Sequence, residues 1–505
     1  MSTESLVDES VAVVGGGFGG LSAACYLADA GADVTVIERD DRPGGVARRI
    51  ERDGFRFDAG PSWYLMPEVF ERFFGRFDRE PSAYYELTRL HPNYRVFWKD
   101  GDEAAVPADR AGQVELFESY EPGAGAALEE YLDDAREAYE VGMSEFVYED
   151  RSRLRDWLDP SLARAARGLT LLGSMDDHVG EYFDHPKLRQ LVEYTLVFLG
   201  GSPYNTPALY TLMSHVDYGL GVYYPTGGMA SVVDGVAELG RELGVTYETG
   251  TEVTCIDPGA DAVRVVTDDG TRTVDRVVAA APRPHVERDL LPPPARDHDP
   301  GYWENRTYAP SAFLLYLGVE GSVDPLDHHT LVLPTDWRPH FESIFDDPRW
   351  PADPSYYVNV PSVTDDGAAP DGHETVVVLV PVAPGLDDDP ATRANYREKV
   401  LADLADHAGV DLRGRVVVEE SACVSEFSRL GYPEGTALGL AHTLRQTGPL
   451  RPGHRAGAAD RLYYTGSFTN PGIGVPMCLI SGEHAAAAVR SDAAGRDRRP
   501  SLLPG

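Results

Sequence analysis

The chain has 505 residues, and its 82 acidic side chains outnumber its 45 basic ones, which gives a formal net charge of −37. This balance excludes a nucleic-acid partner, because a phosphate backbone is bound by an excess of positive charge. Since 42% of the residues are apolar, the acidity does not indicate disorder, and the length predicts two or three folded domains.

Lysine is almost absent from the sequence. Lys99, Lys187 and Lys399 are the only lysines, and every other basic side chain is arginine. Many carboxylates with few lysines are typical of a surface that stays hydrated in concentrated salt. At about 1 M salt the Debye length is about 3 Å, so repulsion among the carboxylates is screened. The composition predicts a halophilic protein, and an acidic protein of ordinary salinity is the alternative.

The cysteines and the N-terminus bear on location. Cys25, Cys255, Cys423 and Cys478 lack the short spacings of a disulfide framework or a zinc site. The opening residues MSTESLVDES contain no basic and apolar signal region. The longest apolar runs, such as 313–319, fall far below the roughly 20 residues of a spanning helix. We expect a cytoplasmic protein that does not cross a membrane.

The first predicted elements form a β-α-β unit. Residues 11–14 are an apolar run typical of a buried strand, and glycines follow it. Small and apolar residues then recur at helical spacing up to a stop at Gly31, and a second strand at 34–37 ends in Glu38. Strand, helix and strand in this order are typical of a parallel sheet.

Two later parts of the chain show the same alternation. Apolar residues at 232–243 predict an amphipathic helix, and strands are predicted at 253–256, 263–266 and 274–281. Near the C-terminus, a short strand at 462–466 precedes a glycine- and proline-rich loop and a helix. We expect one domain to be built from these separate pieces.

The predicted domain organisation is therefore discontinuous. The fold class is α/β, with one domain at 1–75, 221–290 and 441–490. Residues 76–220 and 291–440 are insertions that form a second, α+β domain, and residues 491–505 are a flexible tail.

The loop after the first strand carries a dinucleotide-binding motif. Gly15, Gly17 and Gly20 have the GxGxxG spacing. The first glycine permits a tight turn, the second admits a pyrophosphate, and the third lets helix and sheet pack closely. The phosphates would lie at the helix N-terminus, whose N–H groups attract anions. Glu38 would accept hydrogen bonds from the ribose hydroxyls, which disfavours NADP.

A second glycine-rich stretch favours a longer cofactor. Residues 42–45 read RPGG, and GFRFDAGPSW follows at 54–63. In a simple NAD domain the chain would run directly into the third strand. The backbone amides of Gly44 and Gly45 are instead placed to approach the phosphate and ribityl chain of FAD. The sequence therefore predicts FAD as the cofactor.

These glycine motifs belong to longer stretches that resemble a known family, the bacterial-type phytoene desaturases. The stretches are GGGFGGLSAACYLADAGADVTVIERDDRPGG at 15–45, DGFRFDAGPSWYLMPEVFERFF at 53–74, YYPTGGM at 223–229 and TGSFTNPGIGVPMCLISG at 465–482. The family comprises FAD-dependent carotenoid desaturases within the flavin amine oxidase superfamily, and the chain looks most like its haloarchaeal members. One departure is Asn470, where many members carry histidine.

The resemblance implies a fold, a reaction and a set of binding residues. The fold would combine a Rossmann-type FAD-binding domain assembled from discontinuous segments, an inserted α+β substrate domain and a helical membrane-associating region. The reaction would introduce C=C bonds into a C40 or C50 carotenoid by hydride transfer to flavin, which a quinone or another acceptor reoxidises. Cofactor binding is expected at Gly15, Gly17, Phe18, Gly19, Gly20, Glu38, Arg39, Gly44, Gly45, Gly60, Pro61, Ser62, Val253, Gly466, Gly472, Gly474, Val475, Pro476 and Met477.

No catalytic base follows from the sequence, and no metal site is predicted. An aromatic face could stabilise a cationic polyene by about 0.5–2 kcal/mol. Seven tyrosines cluster in the segment 182–224, and most of them are expected in the core. Glu181, Asp184, His215 and Asp217 are candidates to receive the second proton, with structural roles as the alternative. The clustered tyrosines are Tyr182, Tyr194, Tyr204, Tyr210, Tyr218, Tyr223 and Tyr224.

A local excess of arginine between residues 151 and 172 predicts contact with a membrane. Apolar residues at helical spacing lie among these arginines. We expect either an interfacial helix at the inner face of the cell membrane or an amphipathic helix packed on its own domain. The residues concerned are Arg151, Arg153, Arg155, Arg164 and Arg167, against Asp156 and Asp159, with Trp157, Leu162, Ala165, Ala166, Leu169 and Leu172.

The sequence alone leaves alternatives to a carotenoid desaturase open. A flavin oxidase of amines or of protoporphyrinogen uses the same scaffold. A prenyl-lipid carrier could keep the fold without the flavin, although the intact Glu38 and motif glycines disfavour it. The sequence also does not separate a phytoene desaturase from a 3,4-desaturase that acts on a later, hydroxylated intermediate of C50 carotenoid synthesis.

Overall fold

The computed structural model describes residues 6–151, 173–443 and 445–495. Its strands are β1 (Ser10–Val14), β2 (Asp33–Ile37), β3 (Arg49–Arg52), β4 (Phe55–Asp58), β5 (Leu87–Arg89), β6 (Tyr94–Trp98), β7 (Glu103–Val106), β8 (Tyr223–Pro225), β9 (Thr246–Glu248), β10 (Val253–Pro258), β11 (Val263–Thr267), β12 (Gly270–Val274), β13 (Arg276–Ala279), β14 (Ser311–Glu320), β15 (His329–Leu333), β16 (Tyr356–Asn359), β17 (His373–Val382), β18 (Val416–Ala422) and β19 (Leu462–Tyr464). Its α-helices of five residues or more are α1 (Phe18–Asp29), α2 (Pro67–Gly75), α3 (Arg110–Tyr120), α4 (Ala124–Val141), α5 (Met175–Val179), α6 (Pro186–Glu193), α7 (Met229–Glu242), α8 (Pro300–Glu304), α9 (Arg338–Phe345), α10 (Pro390–Ala408), α11 (Val424–Arg429) and α12 (Val475–Ala493).

One parallel sheet collects strands from three distant parts of the chain. Its order is β19-β13-β1-β2-β9, and every neighbouring pair in it is parallel. β1 and β13 are buried along almost their whole length, which explains why both read as short apolar runs. Separate sequence segments therefore build one sheet, as their repeated strand-and-helix pattern predicts.

Close helix packing holds α1 against α12. The Ser22 hydroxyl of α1 donates a hydrogen bond to the carbonyl of Leu479 on α12 (2.6 Å). A Cβ at Gly482 would lie 2.6 Å from the carbonyl oxygen of Gly19. Small side chains are therefore what allow the two helices to approach so closely, and they fix the C-terminal helix beside the N-terminal β-α-β unit.

Two helix ends can be compared with the predicted ones. α1 ends just before Gly31, the predicted stop, whose φ of +95° favours glycine. α12 continues to Ala493, which carries the helix into the segment 491–505 predicted as a tail.

The prediction of one strand at 274–281 is wrong. β12 ends at Val274 and pairs antiparallel with β11, whereas β13 starts at Arg276 and enters the parallel sheet. Between them, Asp275 Oδ2 accepts hydrogen bonds from the backbone N–H (2.8 Å) and the hydroxyl (2.6 Å) of Ser10. The chain leaves one sheet for the other at this anchor. Because apolar residues stand on both sides of Asp275, the sequence shows no break between the two strands.

The two long insertions meet in a seven-stranded sheet of order β18-β14-β17-β16-β15-β6-β7. The β15–β6 pair is parallel and the other neighbours are antiparallel. Buried side chains of α10, among them Val400 and Leu404, pack on this sheet. Together with the parallel sheet and its helices, this gives the chain a mixed α/β fold.

The helices of the first insertion pack beside β6 and β7. Their shared core contains large aromatic side chains such as Trp98 and Tyr131. The predicted membrane segment 151–172 lies outside the described residues except for Arg151, whose side chain pairs with Glu145. Within the described ranges, none of the helices is both long enough and apolar enough to span a bilayer.

Candidate active site

A cavity of about 1260 Å³ is lined by residues of both large sheets. Val14 and Ile37, the last residues of β1 and β2, line it from the parallel sheet. Leu314, Leu379 and Tyr357 line it from the seven-stranded sheet. Folds with parallel sheets bind their ligands at the carboxyl ends of the strands. The cavity is therefore the candidate active site.

The glycine-rich loop leaves open space beside the start of α1. Gly17 has φ −74° and ψ 173°, and a Cβ built on it would meet no atom within 4 Å. A Cβ on Gly20 would instead lie 2.1 Å from the carbonyl oxygen of Gly15 and 2.9 Å from the Cβ of Ala280. The second motif glycine thus faces space suited to a pyrophosphate, and the third is required by helix packing.

Glu38 joins the end of β2 to this loop. Its carboxylate is buried and accepts hydrogen bonds from the N–H groups of Gly16 (2.7 Å) and Asp40 (2.9 Å). Each carboxylate oxygen keeps acceptor capacity for a further donor. Because Glu38 also lines the cavity, the hydroxyls of a bound ribose could donate to it.

Most residues predicted to bind the cofactor line this one cavity, although they come from segments far apart in the chain. Gly20 and Gly472 are not among the lining residues: Gly20 packs within its loop, and Gly472 packs against His442. The predicted residues that line the cavity are Gly15, Gly17, Phe18, Gly19, Glu38, Arg39, Gly44, Gly45, Gly60, Pro61, Ser62, Val253, Gly466, Gly474, Val475, Pro476 and Met477.

Arg451 fixes the C-terminal glycine loop at 466–474. The buried guanidinium donates hydrogen bonds to the carbonyls of Thr469 (3.0 Å), Ser467 (2.5 Å) and Leu440 (2.9 Å). Burial lowers the pKa of Arg451 to about 10, so the side chain stays charged at neutral pH. A single cation thereby joins two carbonyls of this loop to the carbonyl of Leu440.

His442 lies in the cavity wall behind this loop, and no sequence pattern singles it out. Its Nε2 accepts a hydrogen bond from the N–H of Ile473 (3.1 Å), which places the proton on Nδ1, facing the Tyr210 hydroxyl at 2.9 Å. Burial holds the pKa of His442 well below its usual range, so the imidazole is neutral. A Cβ at Gly472 would lie 2.3 Å from the ring, which explains the glycine there.

Asn470 presents an unused hydrogen-bond donor at the cavity wall. Its Nδ2 is buried and has no hydrogen-bond partner among the described residues, and the residue lines the cavity. A buried donor without an acceptor costs about 1–3 kcal/mol. An acceptor on a bound cofactor would remove this cost.

Part of the cavity is a continuous apolar wall. It combines residues of three separate segments, which pack as one cluster and which no local pattern connects. Its methionines are flexible and fit irregular hydrocarbon ligands. The apolar wall consists of Leu65, Met66, Tyr139, Met143, Val147, Leu212, Met213 and Val216.

A small polar patch also faces the cavity. The hydroxyls of Ser62 and Tyr357 are 3.0 Å apart, and the Tyr357 hydroxyl lies 2.6 Å from Nδ1 of His329. The ring of Trp63 stacks on His329, with 3.9 Å between centroids. Burial holds the pKa of His329 well below its usual range. The patch therefore offers uncharged hydrogen-bonding groups.

The structure does not bring the four predicted proton acceptors into the cavity wall. The side chains of Glu181 and Asp184 are 74% and 98% exposed. His215 is half-buried and does not line the cavity. Asp217 is buried behind the wall and accepts a hydrogen bond from the hydroxyl of Tyr194 (3.0 Å), which does line the cavity. Two of the four thus contact residues of the cavity wall: Asp217 through the hydrogen bond from Tyr194, and His215 through its ring, which lies 5.1 Å from that of Tyr139, centroid to centroid.

Two of the seven clustered tyrosines reach the cavity. Tyr194 and Tyr210 line it, and Tyr182, Tyr204, Tyr218, Tyr223 and Tyr224 do not. Most of these rings thus pack elsewhere, as expected of core side chains.

Asp217 should make the stability of the protein depend on pH. Burial raises the pKa of Asp217 to about 7, against the opposing hydrogen bonds from Tyr194 and Tyr94. An unfolded aspartate has a pKa of about 3.9. The raised pKa of Asp217 therefore contributes fully to the free energy of unfolding at pH values below the unfolded pKa. This contribution is lost as the pH rises through the folded pKa.

The variant Asp217→Asn keeps an acceptor for the two tyrosines and cannot ionise. We expect it to melt at a higher temperature than the native protein at about pH 8, and at nearly the same temperature at about pH 4. Thermal unfolding followed by circular dichroism in molar KCl measures this. An offset that is constant with pH would show that Asp217 is not the group responsible.

A family model describes most of the chain. The model for flavin containing amine oxidoreductases matches residues 18–490. The chain belongs to this family. Its cofactor is FAD, as the two glycine-rich stretches predict, and its activity is that of an oxidoreductase.

Two relatives in this family cover nearly the whole chain. A protein of Haloarcula japonica named carotenoid 3,4-desaturase is 61% identical over 492 residues, which are 97% of this chain and 99% of the relative. A zeta-carotene-forming phytoene desaturase of Myxococcus xanthus is 34% identical over 481 residues, 93% of this chain and 92% of the relative. These findings confirm the resemblance to the carotenoid desaturases of this family.

Solved structures share the fold at low sequence identity. An oxidoreductase from Methanosarcina mazei has a TM-score of 0.62 and 16% identity, and the match covers 94% of this chain and 99% of that one. A putrescine oxidase variant has a TM-score of 0.61 and 18% identity, with 97% and 99% covered. These matches support the mixed α/β architecture of a flavin amine oxidase.

Proposed function

We propose that the chain is an FAD-dependent carotenoid desaturase that forms a C=C bond at the 3,4-position of a C40 or C50 carotenoid. The observation that carries this proposal is that the apolar wall and the glycine-rich loops line one cavity. Burial of apolar surface, worth about 25 cal/mol per Å², would hold a hydrocarbon polyene there. The 3,4-position follows from the name of the Haloarcula japonica relative, and phytoene desaturation is the alternative.

The proposed FAD site is a Rossmann-type unit built from β1, α1 and β2. The space beside Gly17 fits the pyrophosphate at the N-terminus of α1, and the Glu38 carboxylate fits the ribose hydroxyls. Asn470 has an unused donor for the same cofactor. Open space, acceptor and donor together fit FAD.

The domain organisation proposed from the sequence accompanies this site. Residues 1–75, 221–290 and 441–490 would form the FAD-binding domain, and residues 76–220 and 291–440 the substrate domain. The parallel sheet draws its strands from the first group, and the seven-stranded sheet draws its strands from the second.

When bound, FAD supplies the acceptor for a hydride taken from an allylic C–H bond. The chain's own residues hold the polyene against the apolar wall and exclude water from it. The hydroxyls of Ser62 and Tyr357 suit a hydroxylated carotenoid end without introducing charge. The Tyr194 hydroxyl, which donates to Asp217, gives the second hydrogen, released as a proton, a route to a buried carboxylate.

A charged amine suits the apolar wall of this cavity less well than a hydrocarbon does. The apolar wall consists of uncharged side chains, and removing an unpaired ammonium from water costs several kcal/mol. The structure therefore favours a carotenoid over the amine substrates of other family members.

Obstructing the apolar wall tests the proposed substrate. In Met213→Trp a larger, rigid side chain would replace one of the methionines of the apolar wall. We expect the rate of desaturation to fall by roughly 100-fold or more, because displacing a substrate by about 1 Å can lower a reaction rate by that factor. Val363→Trp, at an exposed position, is the control and should keep full activity. Chromatography of the carotenoid product measures the rate, and flavin absorbance verifies the fold. Equal rates in the two variants would refute the proposed binding wall.

We further infer that the carotenoid arrives from the inner face of the cell membrane and that a quinone is the electron acceptor, since both molecules dissolve in lipid. Two observations support this inference. Arg151 lines the cavity, and the arginine-rich segment predicted from the sequence continues from it.

The double variant Leu169→Asp with Leu172→Asp tests the membrane contact, although both positions lie outside the described residues. We expect it to lose co-sedimentation with anionic lipid vesicles while it keeps its flavin spectrum, because each buried leucine contributes roughly 1.5–3 kcal/mol. A folded double variant that still sediments with vesicles would place the membrane contact elsewhere.

A further inference from the structure

Three side chains with metal-binding atoms meet at the margin of the cavity. Asp150 follows the turns after α4, His454 precedes β19, and His484 belongs to α12. One ligand atom from each lies within 4.8 Å of the other two. Both histidines are buried, with 1% and 5% exposure. The long separations in sequence explain why no spacing motif predicts this cluster.

The hydrogen bonds of the two histidines fix which ring nitrogens carry protons. Nδ1 of His454 lies 3.1 Å from the carbonyl oxygen of Tyr464, and Nε2 of His484 lies 3.2 Å from that of Tyr148. A carbonyl only accepts hydrogen bonds, so each of these nitrogens is the donor. In neutral imidazoles the other nitrogens, Nε2 of His454 and Nδ1 of His484, then carry lone pairs.

Those two lone-pair nitrogens are buried and have no hydrogen-bond partner among the described residues. The rings stand 5.4 Å apart, centroid to centroid, at 80°. One unpartnered nitrogen on each of two buried histidines, with the Asp150 carboxylate close to both rings, makes a site suited to a cation. Backbone carbonyls behind metal-binding imidazoles are also the usual outer partners that orient such ligands.

The donor set selects a class of cation. Imidazole nitrogen with one carboxylate oxygen suits Zn²⁺ and similar first-row transition ions, which bind at about 2.0–2.2 Å. Mg²⁺ and Ca²⁺ prefer sites made of oxygen atoms. The site therefore differs in chemistry from the many carboxylates on the surface of this acidic chain.

We propose that Asp150, His454 and His484 bind one divalent transition-metal ion. The ion connects residues 148–151 to α12 through His484 and to the loop before β19 through His454. Residues 148–151 lie directly before the segment that starts at 152. His484 and Arg151 line the cavity, so the ion lies at its margin. Its role is to fix this margin, and the proposed hydride transfer does not require it.

Cobalt binding to the purified holoprotein tests the site. The protein is stripped with a chelator in molar KCl and titrated with Co²⁺ in excess Mg²⁺, which occupies sites made only of carboxylates. We expect one Co²⁺ per chain, with the strong visible bands of a four- or five-coordinate ion in the difference spectrum against the flavin. Weak six-coordinate bands alone would overturn the proposal.

Matched variants assign the binding to these side chains. Loss of an outer partner alone costs about 10–100-fold in metal affinity, so His454→Gln, His484→Gln and Asp150→Asn should each weaken Co²⁺ binding by at least that factor. His407→Gln, at a partly exposed histidine beside Asp403, is the control and should bind Co²⁺ as the native protein does.

Flavin absorbance and circular dichroism verify that each variant is folded. If the buried histidine variants fail to fold, Asp150→Asn, at a partly exposed position, decides alone. Unchanged Co²⁺ affinity in any folded variant of the three would overturn the proposal.

Discussion

Replacing Gly17 with valine should yield a folded protein without FAD. The backbone angles of Gly17 are open to any residue, and a Cβ there would meet no atom of the chain within 4 Å. The valine methyl groups would occupy the space through which the pyrophosphate approaches the start of α1. We therefore expect flavin content to fall below about a tenth of the native value, since losing even a few kcal/mol lowers affinity more than 10-fold.

Gly20→Val is the matched variant for this experiment. There a Cβ would lie 2.1 Å from the carbonyl oxygen of Gly15, so the variant should lose its fold, because no flexible side chain can give way. Flavin released by heat and identified by mass spectrometry, with circular dichroism of each variant, separates the two outcomes. If Gly17→Val retains native flavin, the open space beside Gly17 is not where the pyrophosphate binds.

Transfer from molar KCl to dilute buffer should unfold the protein. With a net charge of −37, repulsion acts over about 10 Å at 0.1 M salt but over about 3 Å at 1 M. The three lysines relieve little of this repulsion because they are so few. Lys99 and Lys187 each pair with two aspartates, so each still leaves one negative charge in its cluster. The melting temperature should rise steeply between these salt concentrations.

Sucrose separates screening from other effects of salt. It favours burial because it is excluded from the protein surface, and it screens no charge. Sucrose in dilute buffer should therefore restore much less of the circular dichroism signal than KCl of equal osmolality. A melting temperature that does not change between dilute buffer and concentrated KCl would contradict the halophilic account.

The proposed cofactor end of the site can be read from the sequence because its determinants are local. The strand at 11–14, the glycines and Glu38 follow one another within one β-α-β unit, and each residue type has one physical reason to be there. The second glycine pair at 44–45 adds the choice of FAD. The strand and the helix of this unit are found as predicted, and Val14, Glu38 and the motif glycines other than Gly20 line the cavity.

The substrate end cannot be predicted in the same way, because its residues meet only in the fold. The apolar wall joins segments near residues 65, 140 and 213 that individually resemble ordinary helix cores. His442 and Asp150 carry no spacing signal, since their partners lie tens to hundreds of residues away. Asp217 stands out only once Tyr194 is seen to connect it to the cavity.

Conversion of a carotenoid by the purified protein decides whether the chain is a carotenoid desaturase. The holoprotein in molar KCl is given a hydroxylated carotenoid that is saturated at the 3,4-position, in lipid vesicles with a quinone, and the pigments are analysed by chromatography with mass spectrometry. We expect the native protein to form a product that has lost two hydrogens and absorbs further to the red, and we expect Gly17→Val to form none. Flavin-loaded protein that leaves this carotenoid and phytoene unchanged, while it oxidises an amine, would contradict the proposed function.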